Sequence, residues 1–189
     1  VKPKIEWNEG SIARVLARNT FDGMLCVLPN TTWTGCEIDL LVVGPGLRMI
    51  DVEIKITRAD LRADKHKDKW WHYPNWDRRI HLERPARQPR AWPLRTWKHY
   101  YAMPAQLWND EMHAEVQAIS GVLLVHDSNR AGGKLGRVEC VKRAKPCRDA
   151  PVLSHSQVIN LARLASVRMW DAYFKLERCG DAGAADTGT

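Results

Sequence analysis

Apolar and polar positions along the chain change period several times, and each change predicts an element. Ile12, Val15 and Leu16 recur at helical spacing, which predicts a short amphipathic helix from Ser11 to Asn19. "FDGMLCVLP" is an apolar run closed by Pro29 and predicts a strand, with "NTTWTG" as the turn after it. Two further runs, Cys36 to Val43 and Arg48 to Ile56, flank Gly44-Pro45-Gly46 and predict a β-hairpin. Thr57, three residues before Asp60, starts a helix running to about Trp70. From His72 to Thr96 the periodicity dissolves, and Pro74, Pro85, Pro89 and Pro93 forbid continuous helix, so residues 72–98 read as an inserted arm. "KHYYAMP", "ISGVLLVHD" and "GRVECVKRA" predict three more strands, the last after Gly132-Gly133. A capping pair, Ser154 and Gln157, opens a final helix from Ser156 to Arg178 with Val158, Leu161, Leu164, Ala165 and Met169 as its apolar positions. This order implies an α/β domain, residues 1–179, with a central mixed β-sheet flanked by helices. The small and polar residues of 180–189 read as a disordered tail.

Length and composition agree with one domain: 189 residues support a single sizeable core. The net charge of +7 is local, because residues 58–98 carry twelve Lys or Arg against five Asp or Glu. An anionic partner is implied. Cys26, Cys36, Cys140, Cys147 and Cys179 are odd in number and lack any C-x-x-C pair, so they read as reduced, mostly buried thiols. No apolar run reaches membrane-spanning length, and the opening "VKPKIEWNEGSIARVLARN" lacks the apolar core of a signal peptide. The expectation is a cytosolic protein, bacterial or phage-encoded, with no membrane partner.

The hairpin carries charges where buried strand should be apolar. Strand side chains alternate faces, so Glu37, Asp39, Leu41 and Val43 share one face, and Asp51, Glu53 and Lys55 share one on the next strand. Across a tight turn Asp39 and Glu53 fall on neighbouring strands and point the same way. Carboxylates so close repel, and burial disfavours their charged forms. A divalent cation offsets both effects, and hard oxygen ligands suit Mg²⁺ or Mn²⁺ shared with phosphate oxygens. Lys55, two residues past Glu53, stands where an amine can orient an attacking water and steady charge on a phosphate. The chemistry implied is metal-assisted phosphodiester hydrolysis, with an exposed sheet face bearing a Glu-Lys pair as the plain alternative.

Asp39 followed by Glu53-x-Lys55 on the next strand resembles the core of the PD-(D/E)xK nuclease superfamily. With "VEIKITRADLRADKHKDKWWHY", "YYAMP" and "GVLLV", most of the chain is similar to the MmcB-like DNA-repair endonucleases. The resemblance implies a restriction-endonuclease-like core, Asp39 and Glu53 as metal ligands, and Lys55 as the catalytic lysine. Glu37, Asp51 and Glu9 are weaker ligand candidates; Glu9 lies near the first helix, where many superfamily members add a carboxylate, but reads better as an exposed cap residue. The arm is longer here than in those relatives, and Glu37 stands where they tend to be basic. Many superfamily members dimerise, which makes a homodimer an expectation.

Beyond the hairpin, Arg58, Arg62, Lys65 and Lys69 recur along the predicted helix as a basic stripe, either a rail for a phosphate backbone or a solvated face paired with Asp60, Asp64 and Asp68. In the arm, Arg78, Arg79, Arg87 and Arg90 are candidates for phosphate contact among Trp70, Trp71, Trp76, Trp92 and Trp97, most of which read better as a satellite core. The histidines show no metal spacing. The reading is therefore a Mg²⁺- or Mn²⁺-dependent DNA nuclease, with RNA left open as a substrate. A nucleic-acid-binding module without chemistry and a protein-docking or inhibitor protein are the alternatives.

Overall fold

The computed structural model describes residues 6–74, 86–127 and 136–184, and for 177–184 the backbone alone. Helix α1 (Glu9–Asn19) starts two residues earlier than the apolar period implies, because Asn8 caps it: the Asn8 side chain accepts from Ser11 N–H and the Ser11 hydroxyl accepts from Asn8 N–H. Strands β1 (Cys26–Thr31), β2 (Ile38–Val43) and β3 (Met49–Ile54) follow as an antiparallel meander. The β2–β3 turn puts its left-handed residue at Leu47 (φ 55°), not at either flanking glycine.

The helix expected to reach Trp70 is short. Thr57 caps α2 (Arg58–Ala63) through Asp60 N–H, but the chain then tightens into two 3₁₀ turns, Asp64–His66 and Asp68–Trp70. Lys67 between them is extended, which ends any helical stripe at this point. Two-residue strands β4 (Trp71–His72) and β5 (Gln88–Pro89) pair as a small ladder at the base of the arm. The chain re-enters the sheet as β6 (Lys98–Pro104), crosses through two 3₁₀ turns to β7 (Gly121–His126), and ends the sheet with β8 (Arg137–Lys142).

The strand order is β1-β2-β3-β6-β7-β8, with β3, β6 and β7 parallel and the outer pairings antiparallel. Parallel neighbours need long crossovers, and the segment holding α2 and the arm supplies one. The result is the expected α/β architecture, a mixed six-stranded sheet flanked by helices. Helix α3 (His155–Ala184) opens with the expected Ser154–Gln157 box and runs past Arg178, so residues 180–184 are helical, not tail. No helix among the described residues is long and apolar enough to cross a membrane. Cys26 is buried and Cys36 and Cys147 are half-buried, whereas Cys140 is exposed.

Alternation sorts the core. Ile12, Val15 and Leu16 of α1 cover Leu40, Val42, Val52 and Ile54 on one sheet face. On the other face, Leu153 and Leu161 cover Leu28, Leu41, Val43 and Met49, while Leu61, Trp70 and Met112 cover Tyr101, Met103 and Leu124. Between these two apolar clusters lies the middle of β3, where the second face carries Asp51 and Glu53 instead of hydrocarbon.

A carboxylate and lysine cluster at the end of strand β3

The register pairing Leu41 with Asp51 and Leu40 with Val52 continues one step to bring Asp39 opposite Glu53. Asp39 is locked there, since its Oδ2 accepts the Ile54 N–H at 2.7 Å. Glu53 is fully buried and meets three ammonium groups: Lys55 at 3.0 Å and Lys67 at 2.6 Å on Oε2, and Lys69 at 2.5 Å on Oε1. Lys69 also holds Asp51 Oδ2 at 2.9 Å, and Lys55 holds Asp64 Oδ1 at 2.8 Å. That Asp64 oxygen has no aligned hydrogen bond, so the close Lys55 contact is read as Coulombic. Asp64 Oδ2 accepts from Trp70 Nε1 at 2.9 Å and Tyr101 Oη at 2.7 Å.

These contacts separate the two carboxylates electrically. Burial raises the Asp39 pKa, and the nearby Glu53 charge adds to it, bringing it to about 6. Glu53 goes the other way: burial pushes it up, but Lys69, Lys55 and the hydrogen bonds from Lys67 and Lys69 outweigh that and hold it well below the carboxylate range. Asp51 is raised by burial despite Lys69. Lys67 and Lys69 lose hydration on burial, yet their carboxylate partners hold both above the usual lysine value.

Asp39, Glu53 and Lys55, the residues expected to carry chemistry, are thus brought together. Glu37 is exposed just before β2 and walls a cleft of about 320 Å³ with Cys36, Lys67, Asp68 and Lys69. Asp51 does not suit ligation, because it is sealed at 1% exposure behind Lys69. Glu9 is an exposed first-turn residue of α1, and that helix packs on the opposite sheet face from Glu53.

The basic stripe does not form. Lys69 is 3% exposed and serves the carboxylates, which removes it from any phosphate rail. Arg58 Nε donates to Leu107 carbonyl at 2.9 Å, and Arg62 and Lys65 both lean on Glu115 at 3.4 and 3.9 Å. Arg87 lies over the Trp71 ring at 4.1 Å, and Arg90 lines a second cavity. Arg78 and Arg79 lie outside the described residues, as do Trp76 and the Gly132-Gly133 turn. Trp70 is buried in the core as expected for most of the arm's indoles.

Sequence reasoning missed Lys67, Asp64, His99 and Tyr101. His99 and Tyr101 sit on β6 opposite Asp51 and Glu53. Alternation along "KHYYAMP" puts His99 and Tyr101 on one face, but nothing local says that β6 lies beside β3. The buried His99 donates or accepts at Nδ1 with Ser120 Oγ at 2.8 Å, and burial, then Lys69, hold it neutral.

A divalent cation fits this donor set on one condition. Asp39 and Glu53 supply hard oxygens, and the raised Asp39 pKa marks negative charge short of a counter-ion. Both Glu53 oxygens already carry ammonium contacts, so Lys67, at 39% exposure the outermost of the three, must give way. Among the described residues no group of three His, Cys, Asp or Glu is arranged around a common point. The protein side of such a site is therefore two carboxylates, which suits an ion that keeps waters and shares phosphate oxygens.

No known family and no curated protein matches the chain. A solved structure described as a protein of unknown function from Silicibacter pomeroyi is similar over 92% of this chain and 94% of that one, with a TM-score of 0.52 and 19% identity. The likeness is one of fold, and it carries no activity with it.

Proposed function

We propose that this chain is a Mg²⁺- or Mn²⁺-dependent nuclease that hydrolyses phosphodiester bonds in DNA, of the PD-(D/E)xK type. One observation carries the reading: Asp39 and Glu53 lie side by side on adjacent strands, with Lys55 in contact with Glu53 at 3.0 Å and Lys67, which walls the neighbouring cleft, at 2.6 Å. Asp39 and Glu53 would hold the ion, which when bound polarises the scissile phosphate and makes water a better nucleophile. Lys55, pinned between Glu53 and Asp64, orients the Glu53 carboxylate. Lys67 has the solvent access needed to steady negative charge gathering on the phosphate. Trp70 and Tyr101 fix Asp64, which holds Lys55 from behind.

The test is cleavage of plasmid and single-stranded DNA with Mg²⁺ or Mn²⁺ and with chelator. Cutting should need the metal and fall at least about a hundredfold in Asp39→Asn, with DNA affinity nearly intact. Equal cutting by parent and variant would sink the assignment. The saturation of Glu53 by three ammonium groups favours a second reading, a nucleic-acid-binding module that kept the fold without the chemistry. Binding that weakens steeply with salt, and no cutting with either metal, is the outcome that selects it.

A further inference from the structure

The cleft beside the carboxylates is bounded by two short stretches of chain, Gly35, Cys36 and Glu37 on one side and Lys67, Asp68 and Lys69 on the other. Glu37 and Asp68 are acidic, and Lys69 is spent on Asp51 and Glu53, so the cleft itself holds little free positive charge. A polyanion that crosses it needs cations on either side. The basic residues after β3 do not supply them, because Arg58 is engaged by the Leu107 carbonyl, and Arg62 and Lys65 by Glu115.

Each wall leads within two residues to an indole with an arginine on it. Before Gly35 comes Trp33, packed against the cluster that holds Leu28 and Leu41, with Arg95 over its ring at 5.4 Å. After Lys69 comes Trp71, packed against the cluster that holds Leu61 and Tyr101, with Arg87 over its ring at 4.1 Å. Two residues of chain span at most about 7 Å, so both indoles stand next to the cleft. Both arginines are exposed, and among the described residues neither makes an ion pair or a hydrogen bond. An arginine that lays its flat face on an indole keeps its in-plane N–H donors, and their fork matches the oxygens of a phosphate. Arg95 is further held by an unusual backbone. Its φ of 62° lies in the left-handed region that a residue with a Cβ enters only at a cost, in a turn closed by Thr96 N–H on the Pro93 carbonyl at 3.2 Å.

We propose that Arg87 and Arg95 are the phosphate handholds of the site, one beside each wall, and that a polynucleotide strand lies across the cleft between them. The inference rests on the nuclease reading above and assigns the residues that hold its substrate. Contacts of this kind grip the backbone and carry no sequence information, so binding is independent of sequence.

The experiment is fluorescence anisotropy of labelled single-stranded and duplex oligonucleotides in chelator over a range of salt, with parent protein, Arg87→Gln, Arg95→Gln, the double variant and Arg62→Gln. Thermal melting of each protein, and metal-dependent cleavage by the parent and the double variant, are measured in parallel. On the probe that the parent binds more tightly, each single change should lower affinity about three- to tenfold and flatten the log–log salt slope by roughly one, and the double change by roughly two. Arg62→Gln should bind like the parent, because Glu115 already answers that charge. Arg95→Lys keeps the charge without the fork, so it should fall between parent and Arg95→Gln and serves if Arg95→Gln melts early. The handholds are overturned if the parent binds neither probe, if the double variant keeps the parent's affinity and slope, or if Arg62→Gln loses as much as Arg95→Gln. They are overturned as well if poly-glutamate displaces the probe as readily as unlabelled DNA of equal charge. Arginine-dependent binding by a parent that never cuts supports the handholds and removes the nuclease reading, whereas metal-dependent cutting that the double variant matches does the reverse.

Discussion

At the scale of the residue, Asp39 is a carboxylate held against its preference for water. It is held by one backbone N–H, faces Glu53, and has its pKa raised to about 6 from an unperturbed 3.8. A raised folded-state value means that the native state binds the proton more tightly than the unfolded chain. The charge therefore costs stability fully above pH 6, and the cost is relieved as pH falls toward 4. Asp39→Asn keeps an acceptor for Ile54 N–H and removes the charge. It should stabilise the metal-free protein at pH 8 by about 1 to 3 kcal/mol and by only about a third of that near pH 4.5, as read by thermal unfolding with chelator. A variant less stable than the parent at pH 8 would mean that the carboxylate is already compensated. Lys67 sets a second test, because its ammonium occupies Glu53 where a dication would compete. Lys67→Ala should bind Mn²⁺ roughly three- to tenfold more tightly by calorimetry, since a like charge a few Å away has gone. Weaker binding would make Lys67 an organiser of the site. Period-two alternation alone placed Asp39, Glu53 and Lys55 on one face. It was silent on Lys67, whose position depends on an extended residue between two 3₁₀ turns.

At the scale of the element, the segment after β3 is where sequence and structure part. Arg58, Arg62, Lys65 and Lys69 share a stripe only if the helix is continuous, and its break after Ala63 turns Lys69 inward. The hydrophobic reason is visible afterwards: Leu61 and Trp70 must both reach Tyr101 and Met103, which a straight helix does not arrange. The hairpin was legible because strand period, the Gly-Pro-Gly turn and the charges all agreed on one register. Lys69 and Lys65, two basic residues four apart, should accordingly behave as opposites. Lys69→Ala leaves Asp51 and Glu53 buried with one fewer counter-ion and should cost about 3 to 5 kcal/mol in urea unfolding. Lys65→Ala removes an exposed ammonium 3.9 Å from Glu115 and should stay within about 0.5 kcal/mol. Similar stabilities for the two variants would restore the stripe.

At the scale of the whole molecule, the sheet order was beyond local pattern, because the β3–β6–β7 pairing joins segments separated by the arm and by two 3₁₀ turns. Helix α3 makes a related point about where the domain ends. Its apolar positions run from Val158 to Met169, yet only the first half docks. Leu161 is completely buried against β1 and β2, with Val158, Leu164 and Ala165 beside it. Val167, Met169 and Trp170 are exposed at 48%, 46% and 64%. Arg168 still reaches back to Pro29 carbonyl, which marks the last described tie between the helix and the sheet edge. Apolar character along a helix thus reports burial only where a sheet lies underneath, and α3 outruns its sheet. Leu161→Ala should cost about 2 to 5 kcal/mol, the range for a fully buried leucine. The double change Val167→Lys and Trp170→Lys should leave the free energy of urea unfolding within about 0.5 kcal/mol of the parent, because neither side chain closes the core. If the double lysine variant unfolds as readily as Leu161→Ala, the second half of α3 is covered in solution, and the folded unit is larger than one chain.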